Sequence, residues 1–217
     1  METRQYSSEY SPNGFQAPNY IVVIGAGVGG PQALESILGE LPIDFPGTVV
    51  VVANMGKGFT RVLADKLNAF SNMPVSEALD GQILRSSRVI LVPTEYTASV
   101  TMDIENRNQH VIELRQPDTS PKAAKRLDHI MSSAATAFGK HTIGVVLTGV
   151  GNDGLIGTNN IKSAGGMVLA QNEASSICYE APGAVVAAGL LDQVAPLWQL
   201  ATYICTHTTG ESYEDAA

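Results

Sequence analysis

Two glycine-rich segments hold the residues best placed to do chemistry, Gly25-Ala26-Gly27-Val28-Gly29-Gly30 and Gly149-Val150-Gly151-Asn152-Asp153-Gly154. Each follows a β-branched apolar run, Ile21 to Ile24 and Ile143 to Leu147, and each precedes a helix-compatible stretch. Turns at the carboxyl ends of buried strands are where open α/β sheets hold their ligands. The first segment has the Gly-x-Gly-x-x-Gly spacing that lets backbone approach a pyrophosphate at a helix N-terminus. A dinucleotide site also needs an acidic residue at the end of the second strand, to hold the ribose hydroxyls. Here that strand ends in Ala53-Asn54-Met55, and three glycines equally serve a tight turn with close helix packing and no ligand. In the second segment only Asp153 is ionisable. Its carboxylate could orient a histidine, bind a cation or cap a helix. The next strand-end loop, Ala170-Gln171-Asn172-Glu173-Ala174-Ser175-Ser176, is polar too, and polar loops gathered along one sheet edge suggest a cleft.

The elements that must position these loops alternate. A strand at 20–24 leads to a helix opened by Pro31, then the run Thr48 to Val52 leads to a helix over about 60–70. Successive βα units imply parallel strands, and near-continuous Val and Ile runs are what strands covered on both faces require. The middle differs. Val89 to Val92, Ala98 to Ile104 and Val111 to Leu114 are short strand candidates, and the Asn106-Arg107-Asn108 spacer is a turn signal. An antiparallel hairpin beside the parallel sheet is the simplest arrangement. Alternation then resumes with a helix over 123–138, a strand over 143–147, a helix over 155–164 and a strand over 167–170. Residues 1–19 and 206–217 are polar and read as a mobile N-terminal tail and an acidic C-terminal tail around one domain at 20–205.

Composition sets bounds on the chemistry. The chain has 217 residues, 44% of them hydrophobic, enough for one sizeable core. Its formal charge of -8 disfavours nucleic acid and anionic membranes. Cys178 and Cys205 form no paired motif, so neither a disulfide framework nor a metal site is expected, and a reducing cytoplasm fits. No run reaches the roughly 18 apolar residues of a membrane span.

Taken together, these segments closely resemble the CheB-type protein-glutamate methylesterases, chemotaxis enzymes that hydrolyse glutamyl methyl esters on chemoreceptors and also deamidate receptor glutamines. The resemblance runs from about Tyr20 to Ile204 and is carried by four stretches. These are Ile24-Gly25-Ala26 with Gly29-Gly30, Gly58-Phe59-Thr60, the Leu147 to Gly154 loop, and Ala170 to Ser175 followed by Pro182. It implies an α/β fold with a doubly wound, mostly parallel, Rossmann-like sheet and an antiparallel hairpin near one edge.

The resemblance further implies a serine nucleophile in the first loop, a histidine base after the second strand and an aspartate that orients it. This chain has Gly27 at the nucleophile position and Asn54 at the base position, and retains only Asp153. Glycine has no attacking atom, and an amide is neither acid nor base near pH 7. The family's Arg-Pro-Ser-Val-Asp becomes Ala124-Lys125-Arg126-Leu127-Asp128, which puts substrate contacts there in doubt. Residues 1–19 are too few to form the family's usual receiver domain. The expectation is a catalytically inactive CheB-like domain, a binding or regulatory module of a chemosensory-type pathway. Its cleft would be lined by Val28, Met55, Val150, Asn152, Asn172 and Glu173. It would need no cofactor, and its partner would be a chemoreceptor, another chemosensory component or a second copy. Two alternatives stand beside this: a hydrolase with rebuilt residues such as Cys178 and His129, and a nucleotide or anion binder using the Gly25–Gly30 loop.

Overall fold

Strands buried on both faces must be apolar on both, and the β-branched runs fold accordingly. The computed structural model describes residues 16–106, 109–116 and 125–209. Tyr20–Ala26 (β1) and Gly47–Ala53 (β2) are buried along almost their whole length, as is Thr142–Val146 (β8). Val75–Glu77 (β3), Arg88–Leu91 (β5), Met167–Gln171 (β9) and Gln193–Ala195 (β10) complete a seven-stranded sheet. Its order is β10-β9-β8-β1-β2-β5-β3, and all of its pairings are parallel.

Alternating residues of one strand feed two cores. Val22 and Ile24 pack with the helices Gly30–Glu40 (α1), Thr60–Leu67 (α2) and Leu197–Thr209 (α6). Ile21 and Val23 pack with Arg126–Phe138 (α3), Leu155–Ser163 (α4) and Glu180–Ala187 (α5) on the other face. The sheet is therefore doubly wound. The connections leave β1 in opposite directions, through α1 to β2 and through α4 from β8 to β9, so the topological switch point lies between β1 and β8. That is where both glycine loops emerge, and where the fold opens a crevice if it opens one at all.

The expected hairpin is present as Thr97–Met102 (β6) and His110–Arg115 (β7). Gln82–Ile83 (β4) joins it to make a separate three-stranded antiparallel sheet, which buries Val100 and Ile112 against the α3 side of the core. Among the described residues no helix is long and apolar enough to cross a membrane.

Two boundaries move. α3 begins at Arg126, later than the start expected at 123, and residues 117–124 lie outside the described residues. α6 runs to Thr209, past the expected end of the domain at 205, because Leu200, Ala201 and Ile204 anchor the helix in the core. The expected tails otherwise fall largely outside the described residues. Gln16 and Asn19, within the expected N-terminal tail, are in contact with the domain, their backbones bonding Ser86 and Pro46.

Candidate functional site

The β1–β8 ladder does not stop where the strands end. Leu147 N donates to Gly25 O at 2.9 Å and Gly27 N donates to Thr148 O at 2.8 Å, so the two glycine loops continue side by side past the sheet edge. They touch backbone to backbone. A Cβ added at Gly27 would sit 2.7 Å from Gly149 Cα, and one added at Gly149 would sit 3.1 Å from Gly27 Cα. A side chain at Gly27 would force the two loops apart, and one at Gly149 would crowd them. The close approach that the Gly-x-Gly-x-x-Gly spacing permits is thus made by the 148–150 backbone.

Thr148, only 1% exposed, fastens the seam. Its hydroxyl donates to Val28 O at 2.8 Å or to Cys178 O at 3.2 Å, and accepts from Cys178 N at 2.9 Å. Its amide donates to the buried Gln171 Oε1 at 2.8 Å, and Gln171 Nε2 in turn donates to Ser175 O. The first loop, the second loop and the polar loop after β9 are therefore one hydrogen-bonded unit.

Asp153 points away from the seam, toward α3. Its Oδ2 accepts from Leu127 N and its Oδ1 from Asp128 N, both at 3.0 Å, which satisfies two of the amides that a helix leaves unpaired at its start. The capping role is reciprocal. Asp128, in the first turn of α3, accepts from Gly157 N of α4 at 2.8 Å. Burial pushes the Asp153 carboxyl above the usual carboxylate range. The Asp128 and Leu127 amides and the charge of Lys125 oppose that rise, while the charge of Asp128 adds to it.

Arg126 fills the space beside the ends of β2 and β5. Its Nε donates to Tyr96 O at 2.9 Å and its Nη2 to Pro93 O at 2.8 Å and Val92 O at 3.2 Å. Nη1 reaches Ala53 O at 3.5 Å. Burial lowers the pKa of the guanidinium, and the charges of Asp153 and Glu95 raise it. Lys125 is the cation whose charge acts on Asp153, while Asp153 and Glu95 are the anions that act on Arg126.

The comparisons with known proteins agree with this fold. A family model described as CheB methylesterase matches residues 22–204. The chain belongs to the CheB methylesterase family. A protein-glutamate methylesterase/protein-glutamine glutaminase of Desulfitobacterium hafniense is 38% identical over 86% of this chain and 47% of its own length. A similarly named protein of Geobacter sulfurreducens is 39% identical over 82% of this chain and 47% of its own length. The chain thus spans about half the length of the curated relatives it matches. The solved CheB methylesterase catalytic domain of Thermotoga maritima superposes with a TM-score of 0.80 at 31% identity, covering 85% of this chain and 96% of that one.

In this CheB-family domain the other expected cleft residues fall into two groups. Val28 and Val150 follow the paired glycines and are exposed, 53% and 58%, on the surface above the seam. Asn54 donates its backbone N–H to Ala26 O at 2.8 Å, and its exposed side chain bonds no described residue. Met55 is half-buried against the core. The remaining three stand apart in role. Asn152 receives Lys125 Nζ on its side-chain oxygen at 2.8 Å, and Asn172 caps the turn at Glu173–Ser175 by accepting from Ser175 N. Glu173 is exposed.

Sequence reasoning missed Arg126 and Thr148. The signals were a Lys-Arg pair at the start of a helix, and a threonine on the strand side of a Gly-x-Gly turn. Neither pattern is specific until the fold brings the strand ends together. Cys178 is half-buried, with its backbone bound to Thr148 and Gly149, and its thiol has no histidine partner among the described residues; His129 is exposed on α3.

Proposed function

We propose that this CheB-family domain is a binding module that docks a protein of a chemosensory-type pathway and does not hydrolyse it. One observation carries the reading. At the position where the resemblance implies a nucleophile stands Gly27, whose backbone lies so close to Gly149 that a Cβ there would come within 2.7 Å of Gly149 Cα, and the loops would have to shift to admit a serine. Covalent ester hydrolysis needs an attacking side chain and a base within hydrogen-bond reach of it. The position implied for the base carries Asn54, and the Asp153 carboxylate is engaged with the amides of α3. The named activity of the relatives, on protein glutamate and glutamine, supports a protein surface as the ligand.

The experiment is co-sedimentation with membranes carrying a methylated chemoreceptor, with the bound fraction and the receptor's methylation level both measured. Binding with methylation unchanged is the expected result. Loss of methyl groups that depends on Cys178, read with Cys178→Ala, would establish the rebuilt hydrolase instead.

A further inference from the structure

The alternation that buries β6 runs on past its cover. Ala98 and Val100 are buried against α3, where the Ser133 hydroxyl accepts from Val100 N at 3.0 Å, while Met102 and Ile104, next at the same spacing, are 54% and 92% exposed. A single apolar residue on a surface is ordinary, but these two line one hollow of about 450 Å3. A second hollow, of about 600 Å3, shares Asp80 and Leu114 with the first and is lined by Leu79, which is 66% exposed. Asp80 fixes the wall between them, its carboxylate accepting from Leu114 N at 2.8 Å. The two hollows make one groove, and no residue of the two glycine loops lines it.

The groove is acidic. Glu77, Asp80, Glu95, Asp103, Glu105 and Glu113 line it against two cations, Arg61 and Arg115, and Arg115 is paired with Glu113 at 3.1 Å. Glu95 also acts on the charge of Arg126. The hairpin turn adds one further cation in the sequence, Arg107, and leaves the acids in excess. Exposed apolar side chains inside a negative field select a ligand that is apolar and basic at once. A second copy, with its formal charge of -8, brings the wrong sign, and so does the acidic segment at 211–217. We infer that the groove docks a basic segment of a different protein, its aliphatic anchors seated against Leu79, Met102 and Ile104 and its lysines or arginines facing the carboxylates. The inference goes beyond the binding-module reading, since the groove takes this ligand whether or not the seam hydrolyses anything. A basic ligand also differs in charge from the protein glutamate for which the relatives are named.

The test titrates the full chain with three labelled synthetic helical peptides, built of leucine with lysine, leucine with glutamate, and serine with lysine, read by fluorescence anisotropy. The leucine–lysine peptide is expected to bind at least about tenfold tighter than either of the others, the difference that one buried aliphatic side chain makes. Its affinity should fall as salt rises from about 0.1 M to about 1 M, where the Debye length shrinks from about 10 Å to about 3 Å. Ile104→Ser with Glu105→Lys, both at exposed positions, should weaken it about tenfold or more. Ile43→Ser with Asp44→Lys, a matched exposed pair on the α1–β2 connection, should leave it unchanged. No binding of the leucine–lysine peptide, equal binding of the three, or equal loss from the two variant pairs overturns the inference. So does a dimer of the chain alone, seen by sedimentation velocity, that Ile104→Ser dissociates, because a second copy would then be the occupant.

Discussion

Gly27 and Gly149 meet back to back, and this contact decides what position 27 can hold. A Cβ at Gly27 would overlap backbone, not the end of a flexible side chain, so the loops would have to part to admit one. Gly27→Ser should therefore destabilise the fold by about 1–3 kcal/mol, the usual cost of overpacking, as read by urea denaturation. Combining it with Asn54→His should yield no methanol release from an esterified receptor peptide. Asp153 gives a second prediction. Asp153→Ala removes the cap of α3 and should cost about 1 kcal/mol. Burial raises the carboxyl's pKa in the folded chain, so the folded state holds the proton more tightly than the unfolded state does. Its contribution is fully present below the ordinary carboxylate range and is lost as pH rises through the raised value. The stability advantage of the wild type over Asp153→Ala should accordingly shrink across that window, measured as urea midpoints at successive pH values. Asp153 was legible in the sequence as a helix cap or a site carboxylate. That it caps α3, and not the α4 helix that follows it, depends on a contact between residues far apart in the chain.

Between elements, the site is a set of loops tied to one another. Thr148 is the knot, since its hydroxyl bonds the Val28 and Cys178 backbones. Thr148→Val keeps the shape and strands those polar groups, and a loss of about 1–3 kcal/mol in urea is expected. The α3–α4 crossing is equally tight. A Cβ at Gly157 would come within 2.5 Å of Met131 Cβ and 3.1 Å of Asp128 Cα. Gly157→Ala should therefore lower the melting temperature despite alanine's better helix propensity, because it forces apart helices that also cap each other. The long β-branched runs announced β1, β2, β5, β8 and β9 in the sequence. The two- and three-residue strands β3, β4 and β10 were not legible, because so few residues show no periodicity and their pairing is imposed by neighbouring strands.

For the whole molecule, the doubly wound sheet puts its switch point between β1 and β8, and family membership follows from the matched length and fold. The fold class was readable from alternating apolar runs. The contact at the switch point was not, because the sequence shows that position 27 lacks a side chain but not that its backbone lies against that of Gly149. The missing side chain at Gly27, that contact and the amide of Asn54 are the physical content of the proposed loss of catalysis. The measurement that tests it most directly is single-turnover methanol release, with this chain in excess over a chemoreceptor segment carrying radiolabelled glutamyl methyl ester. The account predicts release no faster than in buffer alone. Release that accelerates and saturates with protein concentration would contradict it.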